Sequence, residues 1–218
     1  SVATETDGGF AEDEWEALQN FGLYLSLVVD YLAVQWLAGV LMQVYLGQRT
    51  GKRVLKGQVK RGDGQRIKAA LWYCDMRGFT KMSNALSSED LIEVLNEYFG
   101  HLGPAVQSHD GEILKFIGDA SLHIHGAPVD DDRNSFRSVK TALEMISAVE
   151  QFNQTLAAEG KPPVGIGVGV NTGEILVGNI GAETKFGYDV LGDPVSVAAR
   201  LESQTKSYGV SLIAGSAT

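Results

Sequence analysis

A mixed α/β domain behind a long N-terminal helical segment is the fold class this sequence predicts, and two observations predict it. From residue 67 onward, short apolar runs alternate with stretches of helical period, the pattern of strands and helices sharing one core. Before that, residues 12–46 carry apolar side chains without a strand or turn signal. The chain has 218 residues, 44% of them hydrophobic and 21% charged, which is ordinary globular composition with ample material for a core. Its 18 basic and 27 acidic residues give a net charge of −9. That balance argues against wrapping a nucleic acid polymer, which needs a basic face. Cys74 is the single cysteine, so no internal disulfide can form and a reducing, cytoplasmic setting fits.

Taken in order, residues 1–11 read as linker or disorder. They show no signal-peptide pattern, and the chain reads as a segment of a longer protein with an upstream sensory or membrane domain. Residues 12–46 predict one or two helices ending near Gly47, within a signalling or dimerising segment over 12–50. Trp15, Leu18, Leu25, Val29, Leu32, Trp36 and Leu46 follow a three- and four-residue spacing, with Gly22, Gly39 and Gln43 as weak positions, suited to a packed or dimerising helix. Leu23–Leu41 carries only Asp30 as a charge. Asp30 and Gln35 near its centre weigh against a membrane span. A basic connector is expected from Gly51 to Gly64, opening a domain over 51–218.

Ile67–Cys74 reads as a buried strand. Ser87-Ser88-Glu89-Asp90 caps a helix carrying Leu91, Ile92, Leu95, Tyr98 and Phe99. Residues 111–124 form a hairpin with Gly118-Asp119 at its tip. A long helix is expected over Asp131–Ala158, broken by Pro162-Pro163. Val164, Ile166, Val168 and Val170 alternate with Gly165, Gly167 and Gly169. One strand face is therefore β-branched, and the other is bare backbone that admits a close helix or a second subunit. Further strands are expected over Glu174–Ile180 and Val210–Ala214, with a helix over Val195–Tyr208 between them.

Two carboxylates stand out. Asp75 is expected directly after the strand and before Met76-Arg77-Gly78-Phe79-Thr80, and Asp119 occupies the hairpin tip. Each alone reads as a cap or turn aspartate. Together they suit a pair of divalent ions. A phosphatase with a phosphorylated aspartate would need a second acid two positions after Asp75, where Arg77 stands. His101, His109, His123 and His125 lack the partners of a zinc site and read as structural. Asp130-Asp131-Asp132 reads as a helix-start charge cluster.

Cys74–Thr80, Lys115–Ala120, Tyr188–Val195 and Ala198–Glu202 resemble, in order, the motifs of class III adenylate and guanylate cyclase catalytic domains. The resemblance covers roughly residues 45–218. It implies an α+β sandwich with a βαββαβ, ferredoxin-like core that forms homodimers with composite active sites. It also implies that Asp75 and Asp119, with Met76 beside them, hold two Mg²⁺ or Mn²⁺ ions. By the same resemblance Gly78, Phe79 and Thr80 line the substrate, Lys115 and Asp189 read the purine, and Arg200 steadies charge at the α-phosphate. The purine assignment has a chemical check: adenine offers an acceptor at N1 and a donor at N6, which an ammonium and a carboxylate complement. ATP is thus the expected substrate and cyclic AMP with pyrophosphate the expected products. The alternatives are a guanylate cyclase and a silent nucleotide-binding or dimerisation module. Two departures favour lower activity: Ser196 stands where the family has asparagine, and the family's domain continues, with a phosphate-contacting lysine, beyond the last strand here.

Overall fold

The computed structural model describes residues 10–57, 60 and 62–218. Most of the expected linker, residues 1–9, and part of the basic connector lie outside the described residues. Helix α1, Glu12–Leu46, opens on three acidic residues, as the positive end of a helix dipole favours. The Glu14 carboxylate accepts the Ala11 N–H at 2.9 Å. It stops at Gly47, whose φ of 82° only glycine adopts cheaply. None of its residues is buried, and among the described residues most of its apolar seam is uncovered, α2 packing only near its end. By length and composition α1 is apolar enough to cross a membrane.

Helix α2, Gln48–Leu55, occupies the beginning of what reads in sequence as a connector. Gly51 is a packing position here and not a breaker: a Cβ there would stand 2.6 Å from the Met42 carbonyl oxygen of α1.

The remaining elements are β1 (Gly64–Arg77), α3 (Phe79–Ser83), α4 (Ser88–Ser108), β2 (Glu112–Ile117), β3 (Ala120–His125), α5 (Asn134–Ala158), β4 (Gly165–Gly181), β5 (Phe186–Leu191), α6 (Asp193–Tyr208) and β6 (Leu212–Ala214). The sheet runs β2-β3-β1-β4-β5 with antiparallel pairings, and β6 lies parallel to the first part of β4. The unit β1-α4-β2-β3-α5-β4 is the expected βαββαβ core of an α+β fold.

Several boundaries differ from the sequence reading. Asp75 lies inside β1, paired with Ala120 and Gly167, because β1 continues to Arg77. The strands expected over Val164–Val170 and Glu174–Ile180 are one strand, β4. Asn171 donates to the Pro194 carbonyl at 3.3 Å, and Pro194 packs on the bare face of Gly173, so the turn-like residues between them stay extended. Strand β5 was not anticipated. Helix α5 starts at Asn134 because the Asp131 carboxylate accepts the Arg133 N–H at 3.0 Å and occupies the preceding turn.

Both sheet faces bury apolar side chains, and the larger cluster lies on one of them. Trp72, Cys74 and Met76 of β1 and Ile166, Val168 and Val170 of β4 pack against Val94, Tyr98 and Leu102 of α4 and Met145, Val149 and Phe152 of α5. Each such side chain contributes about 1.5–3 kcal/mol by leaving water. The bare face of β4 receives α6. A Cβ at Gly169 would collide with the backbone of Ala198 and Glu202, and one at Gly167 would stand 2.6 Å from Glu202 Oε1. The close neighbour expected from the glycine repeat is thus a helix of the same chain.

His123 and His125 stack on Trp72 at centroid distances of 5.0 and 4.5 Å. His123 shares a 2.7 Å hydrogen bond with Ser121 Oγ, and His125 Nε2 lies 3.0 Å from the His109 carbonyl. Burial holds their pKa values down at about 3 and about 4. Both are core residues, as expected.

Two predictions follow from this packing. Gly169→Ala lowers unfolding stability by about 3 kcal/mol, because backbone cannot yield to the added methyl. Gly100→Ala, in the middle of α4 with open space around it, raises it by roughly 0.5–1 kcal/mol. Urea unfolding of both variants checks the contrast. The second concerns acid. The unfolded histidines take up protons below about pH 6.5 while the native ones stay neutral, so stability falls as pH drops from 6.5 toward 4. Each contributes a loss of about 2 kcal/mol by pH 5. Glu112, whose carboxyl burial pushes up, works in the opposite direction at lower pH. Urea midpoints from pH 7 to 5 measure the slope, and His123→Phe roughly halves it.

Candidate active site

Asp75 and Asp119 come together through the β1–β3 register. Asp75 pairs with Ala120, so the residue at the hairpin tip lies beside it. Gly118, with φ of 64°, makes the tight reversal. The Asp119 carboxyl is pushed up by burial and then by the adjacent Asp75 charge. Lys206 Nζ of α6 lies 3.0 Å from Asp75 Oδ2, and that contact raises the Lys206 pKa. One helical turn earlier, the Glu202 carboxyl is buried and pushed up, first by burial and then by Asp75. Its Oε1 has no hydrogen-bond partner among the described residues.

No third His, Cys, Asp or Glu joins the two aspartates as a metal-holding group among the described residues. The Met76 side chain lies in the core, which leaves only its backbone carbonyl as a donor. Two adjacent carboxylates short of positive charge fit a hard divalent cation, which takes oxygen ligands and completes its shell with water or phosphate.

Lys115 and Asp189 also meet. Lys115 follows a register shift in β2, and Asp189 lies on β5 at the opposite edge in sheet order. Lys115 Nζ nevertheless lies 2.8 and 2.7 Å from the two Asp189 carboxylate oxygens. Asp189 Oδ1 additionally accepts the Val190 N–H at 2.8 Å, which fixes its direction. Both side chains remain partly exposed, at 42% and 34%, so a ligand edge can reach them.

Arg200 and Ser196 are not brought to the aspartates. Residues two apart on a helix of 3.6 residues per turn stand on roughly opposite sides. Glu202 faces the sheet, so Arg200 faces away from it and is exposed, as is Ser196. Gly78 turns the chain with φ of 90°, Thr80 is exposed, and Phe79 packs against the core. Phe79 is therefore an anchor of the loop.

Sequence reasoning missed Lys206 and Glu112. The signal for Lys206 was its spacing of four from Glu202, which puts both on one helix face. Glu112 is 5% exposed at the start of β2. Its carboxylate accepts the Arg49 and Thr50 N–H groups at 3.0 and 3.1 Å and the Thr50 hydroxyl at 3.3 Å. It thus caps α2 from a distant strand, three residues before Lys115. Glu112→Ala leaves buried donors unpaired and lowers stability by about 1–3 kcal/mol. Hydrogen exchange at the Arg49 and Thr50 amides accelerates in that variant and stays slower in Glu112→Gln.

Residues 65–215 match the family model described as adenylate and guanylate cyclase catalytic domain. The chain is 37% identical over 145 residues to adenylate cyclase 1 of Rhizobium meliloti, covering 66% of this chain and 22% of that protein. The chain therefore spans less than a quarter of that relative. Among solved structures, the guanylyl cyclase Cya2 is 38% identical, with a TM-score of 0.62 over 64% of this chain and 71% of that one. The adenylyl cyclase CyaB from P. aeruginosa is 33% identical, with a TM-score of 0.63 over 65% and 74%.

Proposed function

The chain belongs to the adenylate and guanylate cyclase catalytic-domain family, and we propose on that premise that it converts ATP to 3′,5′-cyclic AMP and pyrophosphate as a homodimer. The observation that carries the substrate is the Lys115–Asp189 pair. Lys115 can only donate and Asp189 can only accept. Opening their mutual contact toward adenine gives N1 a donor and the N6 amino group an acceptor. Guanine presents a donor at N1 and an acceptor at O6, so both side chains would be mispaired. Unpaired polar groups in a binding site discriminate strongly.

The reacting end divides between subunits in this reading. Asp75 and Asp119 of one copy would hold the cations. Arg200, turned outward from its own sheet, reaches the α-phosphate at the partner's aspartates, where a planar guanidinium suits the charge that develops during transfer. Divalent cations bound by the aspartates would lower the pKa of the ribose 3′-OH and offset the triphosphate charge. The 3′-oxygen then attacks the α-phosphorus, the bond to pyrophosphate breaks, and the hydroxyl proton passes to solvent water. Positioning is most of what the protein supplies. Ser196 offers one hydroxyl where a longer amide would reach the ribose, which lowers the rate without removing the site. The exposed apolar length of α1 supports the homodimer, since a paired helix would cover it.

Purified protein with ATP and Mn²⁺ is expected to release pyrophosphate and cyclic AMP, with GTP the poorer substrate in direct competition. Arg200→Ala loses about 10²-fold or more in kcat. Asp75→Ala and Arg200→Ala, each inactive alone, regain partial activity on mixing, because one composite site of the mixed dimer is intact. Nucleotide binding without pyrophosphate release, or no regain despite demonstrated subunit exchange, contradicts the reading.

A further inference from the structure

Resting on the reading of Asp75 as a metal ligand, we propose that Lys206 is a placeholder cation. It neutralises Asp75 while no metal is bound and leaves when a divalent ion arrives. The ammonium lies 3.0 Å from Asp75 Oδ2, in front of an oxygen that a metal would use. Two cations cannot share that position, since each is drawn there by the same charge and repels the other. Lys206 is free to go: its side chain is 56% exposed, so its stem can swing through solvent without disturbing the core. It also has a destination. Glu202, four residues earlier, is in the favourable acid-before-base order on one helix face, its charge already acts on Lys206, and one of its oxygens has no hydrogen-bond partner among the described residues.

The placeholder accounts for how Asp75 and Asp119 stay side by side in a protein of net charge −9. An acidic pair without a counter-ion would repel or take up a proton. Lys206 supplies one positive charge locally and gives way to an ion with two. It is a positioning residue, acting on metal through Asp75.

The test is Mn²⁺ binding to the full chain without nucleotide, read from the free-ion EPR signal. Lys206→Gln is expected to bind Mn²⁺ about two- to fivefold more tightly, the scale of a partly exposed ion pair that no longer has to break. Lys206→Arg keeps the charge and stays near the wild-type affinity, and Asp75→Asn weakens binding by at least about tenfold. Thermal melts add an independent readout: Lys206→Gln melts below wild type in EDTA, and the gap closes in saturating Mn²⁺. Unchanged or weaker binding by Lys206→Gln, with binding lost in Asp75→Asn, overturns the placeholder and leaves the metal reading standing. Undiminished binding by Asp75→Asn overturns the metal reading itself.

Discussion

The seating of α6 on bare backbone is the constraint from which the site follows. Gly167 and Gly169 let the helix approach until Glu202 and Ala198 touch β4 itself, a distance that any side chain would forbid. Once α6 is held there by Ala198, Glu202 and Thr205, its remaining faces have no freedom. Lys206 is delivered to Asp75, and Arg200 and Ser196 are carried round to solvent. If Arg200 acts at the aspartates, as proposed, a single chain that turns it away from them is incomplete as a catalyst. The proposed sharing between subunits answers that incompleteness.

A second constraint ties the N-terminal helices to the strand that carries Lys115. Glu112 holds the start of α2 through three hydrogen bonds, and α2 packs directly on the end of α1 at Gly51. Lys115 lies three residues further along β2 and is bound to Asp189. Packed backbone and one buried carboxylate thus form a continuous run of contacts from α1 to the strand that carries the lysine.

Much of this was legible in the sequence because it is written in short-range pattern. The Val/Gly alternation over residues 164–170 gave both faces of β4, the Ser87 cap marked the start of α4, and Gly118-Asp119 marked the hairpin tip. The motif residues came with the family resemblance, and the structure brings Asp75 to Asp119 and Lys115 to Asp189. What was missed depends on contacts between distant segments. Gly51 looks like a breaker until Met42 is seen against it. Asn171 and Gly173 look like a turn until Pro194 is packed on them. Glu112 looks like a surface acid until the α2 amides point at it, and Lys206 is one lysine among many until α6 is seated. Local pattern does not record which remote group supplies the missing partner.

The central claim is that a complete site needs two copies of the chain, and specific activity as a function of concentration tests it most directly. Pyrophosphate release per subunit, measured alongside sedimentation over a dilution series, is predicted to fall in step with the dimer fraction and to vanish in the monomer. A constant specific activity maintained by a sedimenting monomer would contradict the account.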